Sequence, residues 1–396
     1  MKILILNAGS STVKLSLIES EGEAVLLDGL ADWSKRPARL VMRRPGAAPV
    51  ESDLTAEGHA GAARRLLETV ARDEAALLSG VAAVGHRVVH GGADYSAGVR
   101  VDAAVKRRIA ELSELAPLHN PVALEVIEAA QSAWPDVAHV ACFDTAFHAT
   151  LSATARTYPL PRRWNEQWGL RRYGFHGLSH AYCADRAARM LRRGPEGLKV
   201  VICHLGNGCS VTAVQDGRSV DTSMGFTPLD GLMMGTRSGS VDPGLLVYVL
   251  REKGVTPDDL DRVLNKESGL AGLCDGNGDV RSVQQLTDAG NQNAALALSI
   301  YCHRIRQTIG AMSATLGGVD ALVFTAGVGE NSARVRSAAC EGLGFLGLHL
   351  DAAANSKCRP DADVATANSP GRILVVATRE DVTIVREAVR ILEQSH

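Results

Sequence analysis

Apolar and polar residues alternate with strict period two in Val13-Lys14-Leu15-Ser16-Leu17, the pattern of a strand with one buried face. An apolar run at residues 2–6 precedes it and residues 24–27 follow a Glu21-Gly22 turn, so the chain is expected to open with three antiparallel strands. Residues 56–78 are rich in Ala, Leu and Arg without proline and predict a helix. Residues 81–90 suit a strand, 121–133 a helix and 137–142 another strand.

Near residue 199 the pattern restarts. A buried-type strand at 199–203 leads through Gly206-Asn207-Gly208 into a second strand at 210–214, and Asp216-Gly217 marks a further turn. The glycine turns at Gly9 and Gly206 stand half a chain apart, which suggests two lobes built on one plan. Downstream come a helix at 294–316, a strand at 321–325, a helix at 332–341, a strand at 373–377 and a closing helix at 382–393. The irregular stretch 159–173, with its tryptophans and arginines, would connect the lobes. The fold class is α/β.

Composition narrows the function. The chain has 396 residues, more than one ordinary domain holds, with a 46% hydrophobic and 22% charged balance that suits a soluble protein with substantial cores. A net charge of -2 and only six Phe, six Tyr and four Trp leave neither a basic footprint nor stacking platforms, so no nucleic acid is expected. The apolar start is too short for a secretion signal, and no run approaches the ~18 apolar residues of a membrane span; a cytoplasmic protein without membrane contact is expected. Eight cysteines include no C-x-x-C pair, so they are expected to be reduced and mostly buried. His86 and His90 would lie ~13 Å apart on a strand, too far to share a metal, and are expected to be structural.

Three turns carry candidate chemistry. Asn7-Ala8-Gly9-Ser10-Ser11-Thr12-Val13-Lys14 joins two strands by small residues that can press backbone N–H groups and hydroxyls against phosphate oxygens. It is not a Walker loop, and by itself a tight hairpin is the commoner meaning. His204-Leu205-Gly206-Asn207-Gly208-Cys209-Ser210 is the matching turn of the second lobe. Phe324-Thr325-Ala326-Gly327-Val328-Gly329-Glu330-Asn331 follows a strand and opens a helix, a place where backbone dipoles favour an anion.

With these segments in this order, the sequence resembles the acetate kinase family, a branch of the actin, hexokinase and Hsp70-like superfamily of two-lobed ATP-binding folds. Further blocks carry the resemblance: Gly85-His86-Arg87-Val88-Val89-His90-Gly91-Gly92, Phe143-Asp144-Thr145-Ala146-Phe147-His148, Tyr173-Gly174-Phe175-His176-Gly177-Leu178-Ser179-His180, Asp221-Thr222-Ser223-Met224-Gly225-Phe226-Thr227-Pro228 and Met234-Gly235-Thr236-Arg237-Ser238-Gly239. It covers nearly the whole chain. The resemblance implies duplicated ribonuclease-H-like lobes with an interlobe active-site cleft. Residues 1–148 with a returning helix at 380–396 would bind the acid; residues 149–379 would bind nucleotide and dimerise.

The implied reaction is reversible transfer of the ATP γ-phosphoryl group to acetate. A carboxylate acceptor is already ionised, so charge neutralisation matters more than a base. By resemblance Arg87 and Arg237 would grip carboxylate and phosphoryl oxygens, His176 would bond the group in flight, and His119 would support the pocket. Asp144, Glu380 and Asn7 would converge on Mg2+, with Mn2+ an alternative. Asp279, Val280, Arg281, Gly327, Val328, Gly329, Glu330 and Asn331 would hold the adenosine. Ser10, Thr12, Lys14, His204, Asn207 and Gly208 would lie by the phosphates, and Val89, Leu118, Phe175 and Pro228 would form a small acyl pocket.

Some blocks depart from the family's usual form. Thr12 stands for serine, Asp230 for glutamate, Ser240-Val241-Asp242 for Asp-Ile-Asp, and Cys274-Asp275-Gly276-Asn277-Gly278 for a serine-rich loop, which touches nucleotide preference. Propionate or butyrate as the preferred acid stays open, because one methylene in a tight pocket is worth only about 1–3 kcal/mol. A polyol or sugar kinase with Asp144 as base, and a nucleotide-driven binding protein, are the more distant alternatives. A homodimer is implied by relatives alone.

Overall fold

The computed structural model describes residues 1–34, 36–56, 58–274 and 276–394. The chain divides into two compact units, Met1–Ala149 with Arg379–His396, and Thr150–Thr378.

The first unit is built on one sheet. Its strands are β1 (Lys2–Ala8), β2 (Thr12–Glu19), β3 (Ala24–Asp32), β4 (Arg39–Arg43), β5 (Val50–Asp53), β6 (Val81–Val88), β7 (Val99–Arg100) and β8 (Ala138–Phe143), in the order β5-β4-β3-β2-β1-β6-β8-β7. Strands β1 to β5 form antiparallel hairpins, while β1, β6 and β8 run parallel. Alternation along β1 and β2 sorts the core: Leu4, Leu6, Leu15 and Leu17 pack with Leu66, Val70, Val126 and Ala130 of the helices Gly58–Asp73 and Asn120–Ala133. Ile5, of opposite parity, faces the closing helix Glu380–Glu393; a Cβ at Gly85 on β6 would collide with Ile384 of that helix. This close approach sets the start of the closing helix, at Glu380, against the ends of β6 and β8.

The second unit repeats the plan. Strands β9 (Lys199–Leu205), β10 (Cys209–Gln215), β11 (Arg218–Thr222), β12 (Ala321–Thr325), β13 (Ala362–Asp363) and β14 (Arg372–Val375) take the order β11-β10-β9-β12-β14-β13. That is the order β3-β2-β1-β6-β8-β7 again: two antiparallel hairpins, two parallel additions and a short antiparallel edge. Strands β9, β10 and β12 are buried nearly throughout, as continuous apolar runs require when both faces are covered. Ser210 and His204 are direct cross-strand partners on the face of the helix Gly177–Met190, whereas Cys209 meets Tyr301 of the helix Gln292–Leu316 on the other face.

Several expectations shift. The helix expected over 56–78 breaks at Glu74, which is buried and ion-paired to Arg44, leaving Gly58–Asp73 and Ala75–Leu78. The strand expected over 81–90 stops at Val88 because Asn120 takes both backbone groups of His90: His90 N–H donates to Asn120 Oδ1 (3.1 Å) and Asn120 Nδ2 donates to His90 O (3.0 Å). The stretch 159–173 lies within the second unit rather than joining the two, and it contains the helix Arg162–Trp168, begun after Pro161 and ended by left-handed Gly169. The helix expected at 332–341 runs Ala333–Cys340, with Ser332 accepting Val335 N–H as its cap. Strands β4 and β5 were not expected; β5 is wholly exposed and carries no alternation.

All eight cysteines are free, seven of them buried. Among the described residues no helix is long and apolar enough to cross a membrane.

Candidate active site

In the first unit, oxygen groups from three distant segments meet one guanidinium. Asp144 directly follows β8, and its N–H donates to Val88 O at 3.0 Å, which fixes its side chain beside Arg87 of the parallel neighbour β6. Arg87 donates from Nε to Asp144 Oδ1 (2.9 Å) and from Nη2 to Oδ2 (2.5 Å), a bidentate pair. Its Nη1 donates to Asn7 Oδ1 (3.3 Å), and Glu380 Oε2 lies 3.8 Å from Nε. Asp144 is 1% exposed. Burial works against the charged guanidinium, but Asp144 and Glu380 outweigh it and raise the Arg87 pKa. Burial pushes the Glu380 carboxyl up, with Arg87 opposing and Asp144 reinforcing.

The β1–β2 turn sits over this cluster's first strand. Gly9 N–H donates to Thr12 O (2.8 Å), and a Cβ at Gly9 would lie 2.6 Å from Thr12 Oγ1, so the hydroxyl needs glycine there. Lys14 is the cross-strand partner of Asn7, and both Lys14 and Ser10 are exposed. His119 stands just before the helix Asn120–Ala133 and is half-buried. Val89 is buried, while Leu118 is 63% exposed.

In the second unit His176 heads the helix Gly177–Met190 with a left-handed backbone, φ 59°, a strained state for a residue with a side chain. Its ring stacks on His204, with centroids 4.1 Å apart. Gly208, in the β9–β10 turn, separates two functional groups: a Cβ there would stand 3.4 Å from His176 Nε2 and 3.7 Å from Arg237 Nη1. Arg237 donates to Pro228 O (3.2 Å), and among the described residues no carboxylate pairs with it. Burial lowers its pKa, with Cys209 opposing, yet a guanidinium starts so high that it stays cationic at neutral pH. Phe175 is buried and Pro228 half-buried.

One cavity of about 390 Å³ brings together Asn207, Asp279, Val280, Arg281, Gly327, Val328 and Asn331 from three segments of the second unit. Its size falls in the ~300–1,000 Å³ range of small-molecule sites. Gly329 and Glu330 are not in its wall. Gly329 is buried against Phe324, and Glu330 Oε1 accepts Thr378 N–H (2.9 Å), burial raising its pKa. His204 Nδ1 lies 2.8 Å from Ser179 Oγ, so its polar edge serves the helix. Asp275 lies outside the described residues; Asn277 and Gly278 of the same loop line the cavity.

The chain matches the model of the acetokinase family over residues 2–386. It belongs to that family. The acetate kinases of Nostoc punctiforme and Cyanothece sp. are 48% and 46% identical to it, each over 99% of this chain and at least 99% of their own lengths. Among solved structures, a propionate kinase from Francisella tularensis superposes with a TM-score of 0.91 at 38% identity over 98% of each chain. Porphyromonas gingivalis acetate kinase does so with a TM-score of 0.91 at 36% identity over 99% of each. The mixed α/β fold with two sheets is thus the acetokinase-family fold.

Within this family member the structure adds residues that sequence reasoning did not single out. Gln284 and Ser332 share the cavity wall with Gly206 of the already expected turn, Gln284 Nε2 donating to Ser332 Oγ (2.7 Å). Arg336, wholly buried, donates to the carbonyls of Gly329 and Glu330 and to Asn355 Oδ1, and so holds the short helix Ala326–Asn331 that carries Gly327 and Val328. A helix cap at Ser332 is a readable local signal; the Arg336 contacts are not, because their partner Asn355 comes from another segment.

Proposed function

We propose that the chain is an acetate kinase, moving the ATP γ-phosphoryl group reversibly onto acetate by direct in-line displacement. The observation that carries this is the pair at Gly208, an imidazole Nε2 and a guanidinium that no carboxylate among the described residues neutralises, next in sequence to Asn207 in the cavity wall. Full-length identity to acetate kinases supports the choice of acid.

An anionic acceptor must approach a polyanion, so cations aimed at the transferring group are what the site has to supply. Arg237 and His176 Nε2 bond the equatorial oxygens of the phosphoryl group, and Gly208 leaves them room. Asn207, Asp279, Val280, Arg281, Gly327, Val328 and Asn331 hold the nucleotide, with Ser10, Thr12 and Lys14 on its phosphates. Arg87 and His119 serve the acid, and by resemblance to the family Val89, Leu118, Phe175 and Pro228 are the apolar residues assigned to its methyl group. Asn7, Asp144 and Glu380 fit Mg2+ or Mn2+, which accept one or two carboxylates and keep waters and phosphates as further ligands. Such an ion would supply charge neutralisation on the phosphates. Asp144, 1% exposed and held at both oxygens by Arg87, is badly placed as a base, which argues against a hydroxyl acceptor.

A cytoplasmic homodimer completes the reading. The helix Pro243–Glu252, reading PGLLVYVLRE, buries none of its residues and exposes Leu245, Val247 and Tyr248, which suits a second copy. Propionate is the second acid to test, because of the likeness to a propionate kinase. The experiment incubates protein with Mg-ATP and acetate, propionate, butyrate or glycerol, traps acyl phosphate with hydroxylamine and counts ADP. Hydroxamate and ADP rise together, fastest with acetate; ADP released only with glycerol, or without acceptor, refutes the proposal.

A further inference from the structure

A buried serine holds the edge of the His176 ring. Ser210 Oγ lies 2.9 Å from His176 Nδ1 and 2.7 Å from His180 Nε2, two imidazoles one helical turn apart. The face of the ring is held as well: His204 stacks on it and is tied through Ser179 Oγ, which lies 2.9 Å from Thr378 Oγ1. Ring position is therefore fixed by contacts from the helix Gly177–Met190 and from β9 and β10.

The proton position follows from donor arithmetic. A phosphoryl oxygen only accepts, so His176 must carry a hydrogen on Nε2, the nitrogen beside Gly208, to bind one. A neutral imidazole with Nε2–H has a bare Nδ1, which needs a donor. A serine hydroxyl gives one hydrogen and accepts another. We propose that Ser210 sets the tautomer of His176: its O–H donates to His176 Nδ1 while its oxygen accepts His180 Nε2–H, leaving His176 with Nε2–H turned towards the phosphoryl position. The three atoms of the bridge, His176 Nδ1, Ser210 Oγ and His180 Nε2, are then matched as donor and acceptor without any added charge, and no proton is transferred. Ser210 and His180 are positioning residues for the transfer.

The use of this arrangement rests on the kinase reading; its existence does not, so the test separates them. In 15N spectra of histidine-labelled protein at neutral pH without substrate, with His176 assigned against His176→Asn, His176 shows a protonated Nε2 and a bare Nδ1. Ser210→Ala gives a mixture of tautomers and lowers kcat about 10- to 100-fold, as loss of an outer partner of a working histidine does, with the KM for ATP held within about twofold. Ser210→Thr, which keeps the hydroxyl, restores the single tautomer and most of kcat. A wild-type His176 that is protonated on Nδ1 alone or on both nitrogens overturns the proposal, and so does Ser210→Ala with unchanged tautomer and kcat. The wild-type spectrum decides even where a variant does not fold, and a protein that forms no hydroxamate can still be read for its tautomer.

Discussion

Arg87 and Arg237 come from corresponding halves of a repeated plan, yet they meet opposite surroundings. Arg87 is held by Asp144 at two atoms and by Asn7 at a third, with Glu380 close by. Arg237 leans on a carbonyl, and no acid among the described residues neutralises it. A cation kept half-buried without a counter-ion raises the free energy of the empty protein and has its charge available for an anion. A paired cation instead shapes its partners. The first unit therefore holds a preformed ionic cluster, and the second holds an unneutralised cation, the charge that the proposed transfer would use.

Substitution tests that contrast. Arg87→Ala leaves Asp144 buried with no counter-ion and should cost about 3–5 kcal/mol of stability as well as activity, read as a fall in the urea midpoint. Arg237→Ala should lower kcat about 10²- to 10³-fold, near 3–4 kcal/mol of barrier, while the melting temperature stays the same or rises. If the two variants melt alike, the contrast fails. Arg336 sharpens it, since it too lacks a carboxylate but is spent on carbonyls. Arg336→Met should cost about 1–3 kcal/mol by orphaning those acceptors, and should raise the KM for ATP; a stable variant with wild-type KM would make it a bystander.

The smallest effect is a pH dependence seated in the first unit. Burial favours the neutral form of both rings, so His139, whose Nε2 must donate to Trp134 O (3.1 Å), has a bare Nδ1 that accepts from His86 Nε2 (3.0 Å). Burial lowers the pKa of both, helped at His86 by His139, and pushes His90 down to about 4. The unfolded chain takes up protons near pH 6.5, so stability is full above that pH and is lost as pH falls from there towards 4. Urea midpoints that are equal at pH 7.5 and pH 5 would contradict this.

What could be read in the sequence was whatever has local cause. The paired strands around Gly9 and Gly206 announce themselves by period two and by apolar runs, and the duplication by their spacing. Asp242-Pro243 and Thr256-Pro257 are equally local, a cap followed by proline, and mark the starts of the helices Pro243–Glu252 and Pro257–Lys266, though the hydrophobic pattern drew no element there. The candidate site could be named only through resemblance: nothing in periodicity distinguishes Arg237 from other arginines. The Asn120 clamp on His90, the Arg336 contacts and the Ser210 bridge had no signal, because each joins residues from separate segments.

The chemistry these arginines imply is one direct transfer. Asp144, the buried acid of the cluster, has its charge taken up by the Arg87 fork at both oxygens, which makes it a poor nucleophile towards phosphorus while each oxygen keeps a lone pair for a metal ion. The decisive measurement is the stereochemical course at phosphorus with ATP made chiral at the γ-position and acetate as acceptor. Inversion is the predicted result; retention would require a phosphorylated side chain between two displacements and would contradict the account.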